Sequence, residues 1–457
     1  MLAAIIRAMT SPQPLQTIVE RRAAGHARRA VLSRSAHAIW EPSPSRVDPI
    51  AILKSQDADR IEALRPVRYG RMSVDAFAFL RGAAAVMNAD LGSTPNTGIR
   101  TQLSGDAHLM NFGGFAGVTG DPLFDLNDFD ETLPGPFEWD VKRLSASLAV
   151  AGRVQGLSDK ACRALARRAA HGYRREIAQL AMVAPLDAWH ARVALVEAIE
   201  AIGDRPVRKR VQARLQAVLQ SNRDGFSHLV STDGLLRLPD RPPAIYRLSD
   251  HEDVAHQAFA AYLGSLAEER RVLVRRYALR DVAFKAVGVG SVGTFCAIGL
   301  YATADGDTLL LQLKEAKTSV LAPFAGASTY DNQGERVVVG QRMLQAEPDV
   351  FLGWAQSHGR DFYVRKLKDS RLAAIGMRIE AELLPFYAKL CGRTLARAHA
   401  RAGDAAVISG YLGDGDSFDE AIAKWSIGYA HQTDRDFERF SDAIASGEIT
   451  AVKEAHT

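Results

Sequence analysis

The run Asp281-Val-Ala-Phe-Lys-Ala-Val-Gly-Val-Gly-Ser-Val-Gly-Thr-Phe-Cys-Ala-Ile-Gly-Leu-Tyr301 constrains the fold more than any other stretch of the chain. It holds a Gly-x-Gly-x-x-Gly pattern at Gly288, Gly290 and Gly293, with Ser291 inside it. A dinucleotide fingerprint of this spacing opens a helix at its third glycine, so that the helix N-terminus meets a pyrophosphate. Here the glycines lead instead into apolar Phe295-Cys-Ala-Ile-Gly-Leu-Tyr301, the turn Ala304-Asp-Gly-Asp307, and Thr308-Leu-Leu-Leu-Gln-Leu-Lys-Glu-Ala316. That pattern is a β-hairpin with the glycines in the turn before it.

A strand, a glycine turn and a hairpin whose last strand ends in a lysine suit phosphate binding. The glycines let the backbone lie over phosphates, and the lysine neutralises the α- and β-phosphates. Lys314 fills that place, and Glu335, near the start of Gly334-Glu-Arg-Val-Val-Val-Gly-Gln-Arg-Met-Leu344, is its expected partner. Glu347 competes for the role, and Val337-Val-Val339 could equally form a strand. Phe362-Tyr-Val-Arg-Lys-Leu367 is a further strand, leading through Lys368-Asp369 to an expected hinge.

A second constellation lies far upstream. Leu103-Ser-Gly-Asp-Ala-His-Leu-Met-Asn111 is followed by Pro122-Leu-Phe-Asp-Leu-Asn-Asp-Phe-Asp-Glu131. A hydroxyl attacking a phosphate needs a carboxylate to orient it, and Mg²⁺ needs hard oxygen ligands. Asp106 is the candidate for the first task, and Asn111 with Asp128 for the second. A strand from Leu123 to Phe129 would place Asp128 and Asp130 on one face and Asp125 and Asn127 on the other. Asp128 is therefore favoured as metal ligand, with Asp130 behind it and Asp125 as the lesser choice. Asp140 falls early in a helix with an apolar stripe of Phe137, Val141, Leu144 and Leu148, and could accept backbone hydrogen bonds from the Asp106 loop. Arg68, Arg71 and Arg81 flank the helical Asp75-Ala-Phe-Ala-Phe-Leu-Arg-Gly82, where they could reach a phosphate or form local salt bridges.

The chain is 457 residues long, 47% hydrophobic and 24% charged, as a soluble globular protein would be, and can bury one large core or two lobes, length alone suggesting two to three units. Its net charge of +4 is too small to argue for nucleic acid. Cys162, Cys296 and Cys391 are too far apart to spell a disulfide framework or a zinc site. No apolar run approaches the roughly 18 residues needed to span a bilayer, so no membrane partner and a cytoplasmic location are expected. Residues 1–45, rich in Arg and Ala, read as a mobile or peripheral arm. A helical lobe is expected over 46–277, a β-rich nucleotide-binding lobe over 278–370, and further helices over 371–457, in one of which His399 is a satisfied structural histidine.

In an ordinary kinase the glycine loop and lysine precede the catalytic aspartate and metal ligands; here the order is reversed, as in a circular permutation. Gly105-Asp-Ala-His-Leu-Met-Asn111 resembles the Gly-Asp-x-His-x-x-Asn loop of aminoglycoside phosphotransferases and related small-molecule kinases. Asp128-Phe-Asp130 resembles their metal-binding segment, and Gly135-Pro-Phe-Glu-Trp-Asp140 the turn that follows it. Taken whole, with Ala78-Phe-Leu-Arg-Gly82, Asn127-Asp-Phe-Asp-Glu131 and Glu138-Trp-Asp-Val-Lys-Arg-Leu144, the chain resembles the bacterial family called domain of unknown function 2252.

The resulting expectation is an α+β, two-lobed, protein-kinase-like fold, circularly permuted, that transfers phosphate from ATP·Mg²⁺ to a hydroxyl of a small molecule. Nucleotidyl transfer on the same fold and a non-catalytic nucleotide-binding module are the alternatives. A hydrolase using Asp106, His108 and Asp128 around a transition metal is the outsider.

Overall fold

A computed structural model of the chain describes residues 15–220, 236–242, 244–285, 288–290, 292–367 and 381–452. Ser291, the expected hinge at Lys368-Asp369, residues 1–14 and most of the expected irregular connection over 221–247 lie outside the described residues. The architecture is α+β: a large helical region and small antiparallel sheets.

The described part of the N-terminal arm, expected to be mobile or peripheral, is docked on the helical region. Helix α1, Ile18–Ala27, has a Thr17 capping box and lies against the helix Ala405–Leu412. The arm then supplies arginines to the carbonyls that the latter helix leaves unpaired at its C-terminal end. Arg29 donates to the Tyr411 and Gly410 oxygens at 2.8 and 2.9 Å, and Arg34 to that of Leu412 at 2.7 Å. Further along the chain, α2, Ala76–Gly82, is capped by Asp75, whose carboxylate accepts from the Ala78 amide at 2.7 Å.

Four short strands frame the Asp106 loop. β1, Arg100–Leu103, pairs with β4, Leu133–Pro136; β2, Phe112–Ala116, pairs with β3, Pro122–Leu126. β3 stops at Leu126, so the alternation expected through Phe129 ends before it reaches Asp128. Helix α3, Glu138–Val154, follows and is buried on all sides from Glu138 to Gly152. Around it lie α4, Asp159–Leu180, and elements from the far end of the chain.

The main sheet has six strands in the order β5-β6-β7-β8-β10-β9, all neighbours antiparallel. They are β5 Ile245–Tyr246, β6 Ala278–Lys285, β7 Cys296–Ala302, β8 Thr308–Glu315, β9 Gly353–Ser357 and β10 Arg360–Lys366. The hairpin expected after the glycines is β7–β8. Helix α5, Ser249–Tyr262, packs Phe259 and Tyr262 into one sheet face with Phe284, Phe295 and Phe362. The packing unit built on the sheet therefore begins well before residue 278, where the lobe boundary was expected. On the opposite face Tyr363 joins Val337 and Val338 of α6, Gln333–Leu344, in the core of the helical region. Successive residues Phe362 and Tyr363 thus tie the two sides of one strand to different cores.

The chain closes with α7, Leu384–Ala402, α8, Ala405–Leu412, and α9, Ser417–Ala445. α7 crosses α4 at backbone contact. A Cβ on Gly392 of α7 would stand 2.1 Å from the Ala169 carbonyl oxygen, and one on Gly172 of α4 would stand 2.7 Å from that of Lys389. In an exposed helix Gly→Ala gains about 1 kcal/mol of helix propensity. At this crossing the sign reverses: Gly392→Ala is expected to lower unfolding free energy by roughly 1–3 kcal/mol through overpacking. Urea denaturation of the variant checks this, and a stability equal to or above the parent's contradicts it.

Candidate functional site

The Asp106 loop is held from beneath by a carboxylate. Asp140, in the first turn of α3, accepts from the Ser104 amide at 2.7 Å and the Gly105 amide at 3.1 Å. Asp140 is fixed in turn by His399 Nε2 at 3.3 Å, whose Nδ1 meets the Tyr173 hydroxyl at 2.8 Å. Gly105 has φ +84°, and a Cβ there would press to 2.4 Å from the Glu131 carbonyl oxygen, so both conformation and space require glycine. Further along, Tyr387 of α7 donates to the Phe112 carbonyl at 2.8 Å.

Arg143 Nε of α3 donates to the Asp106 carboxylate at 2.7 Å, and its Nη2 donates to the Leu80 carbonyl at 2.8 Å. Burial pushes the Asp106 carboxyl up to about 7; Arg143 opposes the rise, and Asp128 and Glu131 add to it. His108 accepts the Met110 amide on Nδ1 at 3.2 Å, and its Nε2 stands 3.7 Å from Asp106 Oδ2. Burial, then the charges of Arg143 and Arg81, hold this imidazole well below its usual range and therefore neutral. Asn111 donates its amide nitrogen to the Asp106 carbonyl at 2.8 Å, which leaves the carboxamide oxygen as the atom free to serve a ligand.

Beyond Leu126 the chain turns, and the four carboxylates part company. Asp125 is buried and accepts the Leu126 and Ala346 amides at 2.9 and 3.0 Å, with Arg401 at 3.5 Å; it does not face the cavity. Asp130 accepts Lys314 Nζ at 2.6 Å and the Tyr363 hydroxyl at 2.5 Å. Although burial works against the charge, Lys314 and Tyr363 hold the Asp130 carboxyl below its ordinary value, and Asp130 raises that of Lys314 against the same burial. Glu131 accepts the Val320 amide at 2.7 Å. Asp128 is left facing the cavity, its Oδ1 within 3.4 Å of the Asp130 amide.

The ion pair of Lys314 is thus with Asp130 and not with the expected Glu335. Glu335 sits in the first turn of α6, its amide bonded to Asn332 Oδ1 at 3.0 Å, and is not among the cavity residues. Glu347 is engaged elsewhere, with Arg192 at 2.9 Å. α6 reaches the site through the next residue: Arg336 donates to the carbonyls of Thr132, Asp130 and Lys317 at 2.6, 2.9 and 2.7 Å.

Between the sheet and the helical region lies a cavity of about 660 Å³. Asp106, Asn111, Asp128, Asp130 and Lys314 all line it, together with Gly288 and Gly290 of the glycine turn. Gly293, at φ +85°, lies against the Arg60 side chain at the end of that turn. The turn is fastened to the helical region: Arg71 donates to the Gly288 carbonyl at 2.6 Å, Arg60 to that of Val292 at 2.5 Å, and the Ile61 amide to that of Gly293 at 2.8 Å. Arg68 makes the local bridge, to Asp57 at 3.3 Å, while Arg81 lines the cavity. Arg143 and Tyr363, which clamp Asp106 and Asp130, are the residues that sequence reasoning missed: both lie in runs it singled out, but neither was given a part in the site. A second cavity of about 750 Å³, lined by Arg237, Arg247 and Arg280, shares no residue with the first.

Among the described residues no three His, Cys, Asp or Glu side chains form a complete metal site. A transition-metal hydrolase would need His108 as a ligand, and its Nδ1 is spent on a backbone amide. Asn111 and Asp128 fit Mg²⁺ arriving with a nucleotide, because that ion takes one or two protein oxygens and fills its other positions with phosphates and water. The high Asp106 carboxyl value also predicts a pH-dependent stability. The unfolded carboxyl ionises near 4, the folded one near 7, so the folded state is penalised increasingly as pH rises between them. Asp106→Asn is expected to unfold at a higher temperature than the parent at pH 8, with the gain fading toward pH 4. A gain that is absent at pH 8, or constant across pH, rejects this electrostatic assignment.

Comparison with family models gives a match to DUF2252, described as an uncharacterized protein conserved in bacteria, over residues 60–443. Neither the curated proteins nor the solved structures contain a match to the chain. The matched span covers the Asp106 loop, the Asp128 turn, the glycine turn and Lys314 together. The chain belongs to the DUF2252 family.

Proposed function

We propose that this chain is a circularly permuted, two-lobed, kinase-like phosphotransferase that moves the terminal phosphoryl group of ATP to a hydroxyl of a small molecule. The observation that carries this reading is convergence. Asp106, Asn111 and Asp128 come from one part of the chain and Gly288, Gly290 and Lys314 from another, yet all line one cavity. A base, two oxygen donors, a cation and a glycine turn are the parts that in-line transfer uses.

In this reading the acceptor hydroxyl gives its proton to the Asp106 carboxylate while its oxygen bonds to the terminal phosphorus. The bond from that phosphorus to the bridging oxygen breaks, and ADP leaves. Arg143 keeps Asp106 oriented, and Asp140 holds the loop so that the carboxylate does not drift from the acceptor. Lys314, fixed by Asp130, presents its ammonium to the remaining phosphates. Mg²⁺, when held by Asn111 and Asp128, neutralises phosphate charge. The neutral His108 beside Asp106 can offer an Nε2 hydrogen but not a competing positive charge.

Thermal shift with ATP and Mg²⁺ tests the reading first. At about a hundred times its dissociation constant a nucleotide stabilises by roughly 2.7 kcal/mol, several degrees for a domain of ordinary size. The parent is expected to shift, and Lys314→Ala and Asp128→Ala to lose most of the shift; a parent that does not respond sets the proposal aside. Asp106→Asn is expected to retain the nucleotide shift and lose turnover by roughly 100-fold or more. Turnover in the parent should rise with pH through about 7, as Asp106 becomes a carboxylate able to take a proton. A rate that falls across that range removes Asp106 from the role of base.

A further inference from the structure

Among the described residues, Arg81 is a cation of the cavity without a hydrogen-bond or ion-pair partner. Arg81, near the end of α2, lines the same space as Asp106, Asn111 and Asp128. Among the described residues it makes no hydrogen bond and no salt bridge, and its Nε is buried without an acceptor. Its neighbours differ: Arg143 is bound to Asp106, Lys314 to Asp130, and Arg68 to Asp57. Burial disfavours the Arg81 charge, and the charges of Asp106 and Asp75 support it. A desolvated guanidinium without a fixed acceptor is costly unless something else in the cavity meets it.

The side chain is nevertheless held in place. The Arg81 guanidinium carbon lies 6.0 Å from the centroid of the Phe77 ring, and that ring packs edge-on at 6.5 Å from His108. The helix under it is anchored by Arg143 Nη2 on the Leu80 carbonyl, from the same guanidinium whose Nε grips Asp106. Base and cation are thus set by one residue. Gly290 lies over this position, since a Cβ on it would come within 3.5 Å of the Arg81 carbonyl oxygen. Arg81 therefore stands between the Asp106 loop and the glycine turn, where the phosphates of a nucleotide and the hydroxyl of an acceptor would meet.

We propose that Arg81 binds a tetrahedral, phosphate-type oxyanion at the Asp106 end of the cavity, where its planar fork can give two parallel hydrogen bonds. The oxyanion is either the phosphoryl group passing from nucleotide to acceptor or a phosphate that the acceptor itself carries. The inference deepens the phosphotransfer reading and rests on it for the identity of the oxyanion, not for the presence of the site.

Calorimetric titration of the full chain and of Arg81→Gln and Arg81→Lys, with Mg²⁺ present, distinguishes these sources. The ligands are ADP, ADP with fluoroaluminate, ADP with inorganic phosphate, and inorganic phosphate alone. Arg81→Gln is expected to bind ADP as the parent does but to lose about 10- to 100-fold of the tightening that the oxyanion adds, the worth of one or two charge-assisted hydrogen bonds. Arg81→Lys should keep part of it and serves in place of the glutamine variant if that chain does not fold. Loss confined to fluoroaluminate identifies the phosphoryl group in transit; loss confined to inorganic phosphate in the presence of ADP identifies an anion on the acceptor. Equal oxyanion binding by parent and Arg81→Gln overturns the proposal, as does loss of ADP binding itself. A parent that ignores ADP, with or without fluoroaluminate, but whose response to inorganic phosphate depends on Arg81 sinks the phosphotransfer reading and leaves the oxyanion site standing.

Discussion

The buried contact between Lys314 and Asp130 is the joint on which the site depends. Two opposite charges taken out of water lose several kcal/mol of hydration each, and such a pair survives only when its remaining hydrogen-bonding capacity is met. Asp130 meets that condition, with Lys314 on one oxygen and the Tyr363 hydroxyl on the other. Lys314 and Tyr363 are cross-strand partners on β8 and β10, so one carboxylate binds two adjacent strands of the main sheet. Asp130 itself comes from the turn after β3, in the helical region. The contact therefore fixes how the sheet sits over the Asp106 loop, and Arg336 reinforces it by gathering three carbonyls around the same turn.

The charges around this joint are divided by task. Asp125, buried and bonded to two amides, supports the fold; Asp130 is neutralised; Glu131 caps the chain at Val320. Asp128 lines the cavity with a carboxylate whose contact to the Asp130 amide is long. Asp106 is bound on one side by Arg143 and held near its titration point by burial. The cavity thus contains fixed ion pairs beside a few groups with unused capacity, and those few mark where a ligand would be met.

Sequence reasoning went furthest where the relevant interactions are local. The hairpin after the glycines follows from apolar runs and turn residues, and the apolar stripe of α3 from helical spacing. Asp140 as the acceptor for the Asp106 loop was also legible, because an acidic residue early in a helix is poised for backbone amides. Reasoning ran out where geometry is set at a distance. Alternation along β3 could not reveal that the strand stops at Leu126, so the sorting of Asp125, Asp128 and Asp130 depended on a turn that no periodicity announces. The exchange of Glu335 for Asp130 as partner of Lys314 is the same failure, since the partner arrives from a segment far away in sequence. α5 was assigned to the helical region because an amphipathic helix does not state which surface it covers. The docking of the arm rests on Gly25 and Gly410, where α1 and α8 meet at backbone contact: added Cβ atoms would come within 1.9 and 2.0 Å of the opposing carbonyl oxygens.

The reciprocal approach of α4 and α7 has a consequence for how the protein is made. Phe137 and Tyr173, from the first half of the chain, share one core with Leu395, Tyr411 and Phe418, from the last quarter. During synthesis α3 and α4 leave the ribosome with this apolar surface uncovered, and it stays so until α7, α8 and α9 follow. The six-stranded sheet, by contrast, has a hydrophobic cluster of its own with α5 and is complete in sequence before α7 begins. Growth of the nascent chain therefore favours an order in which the sheet consolidates first and the earliest helices wait longest for their partners.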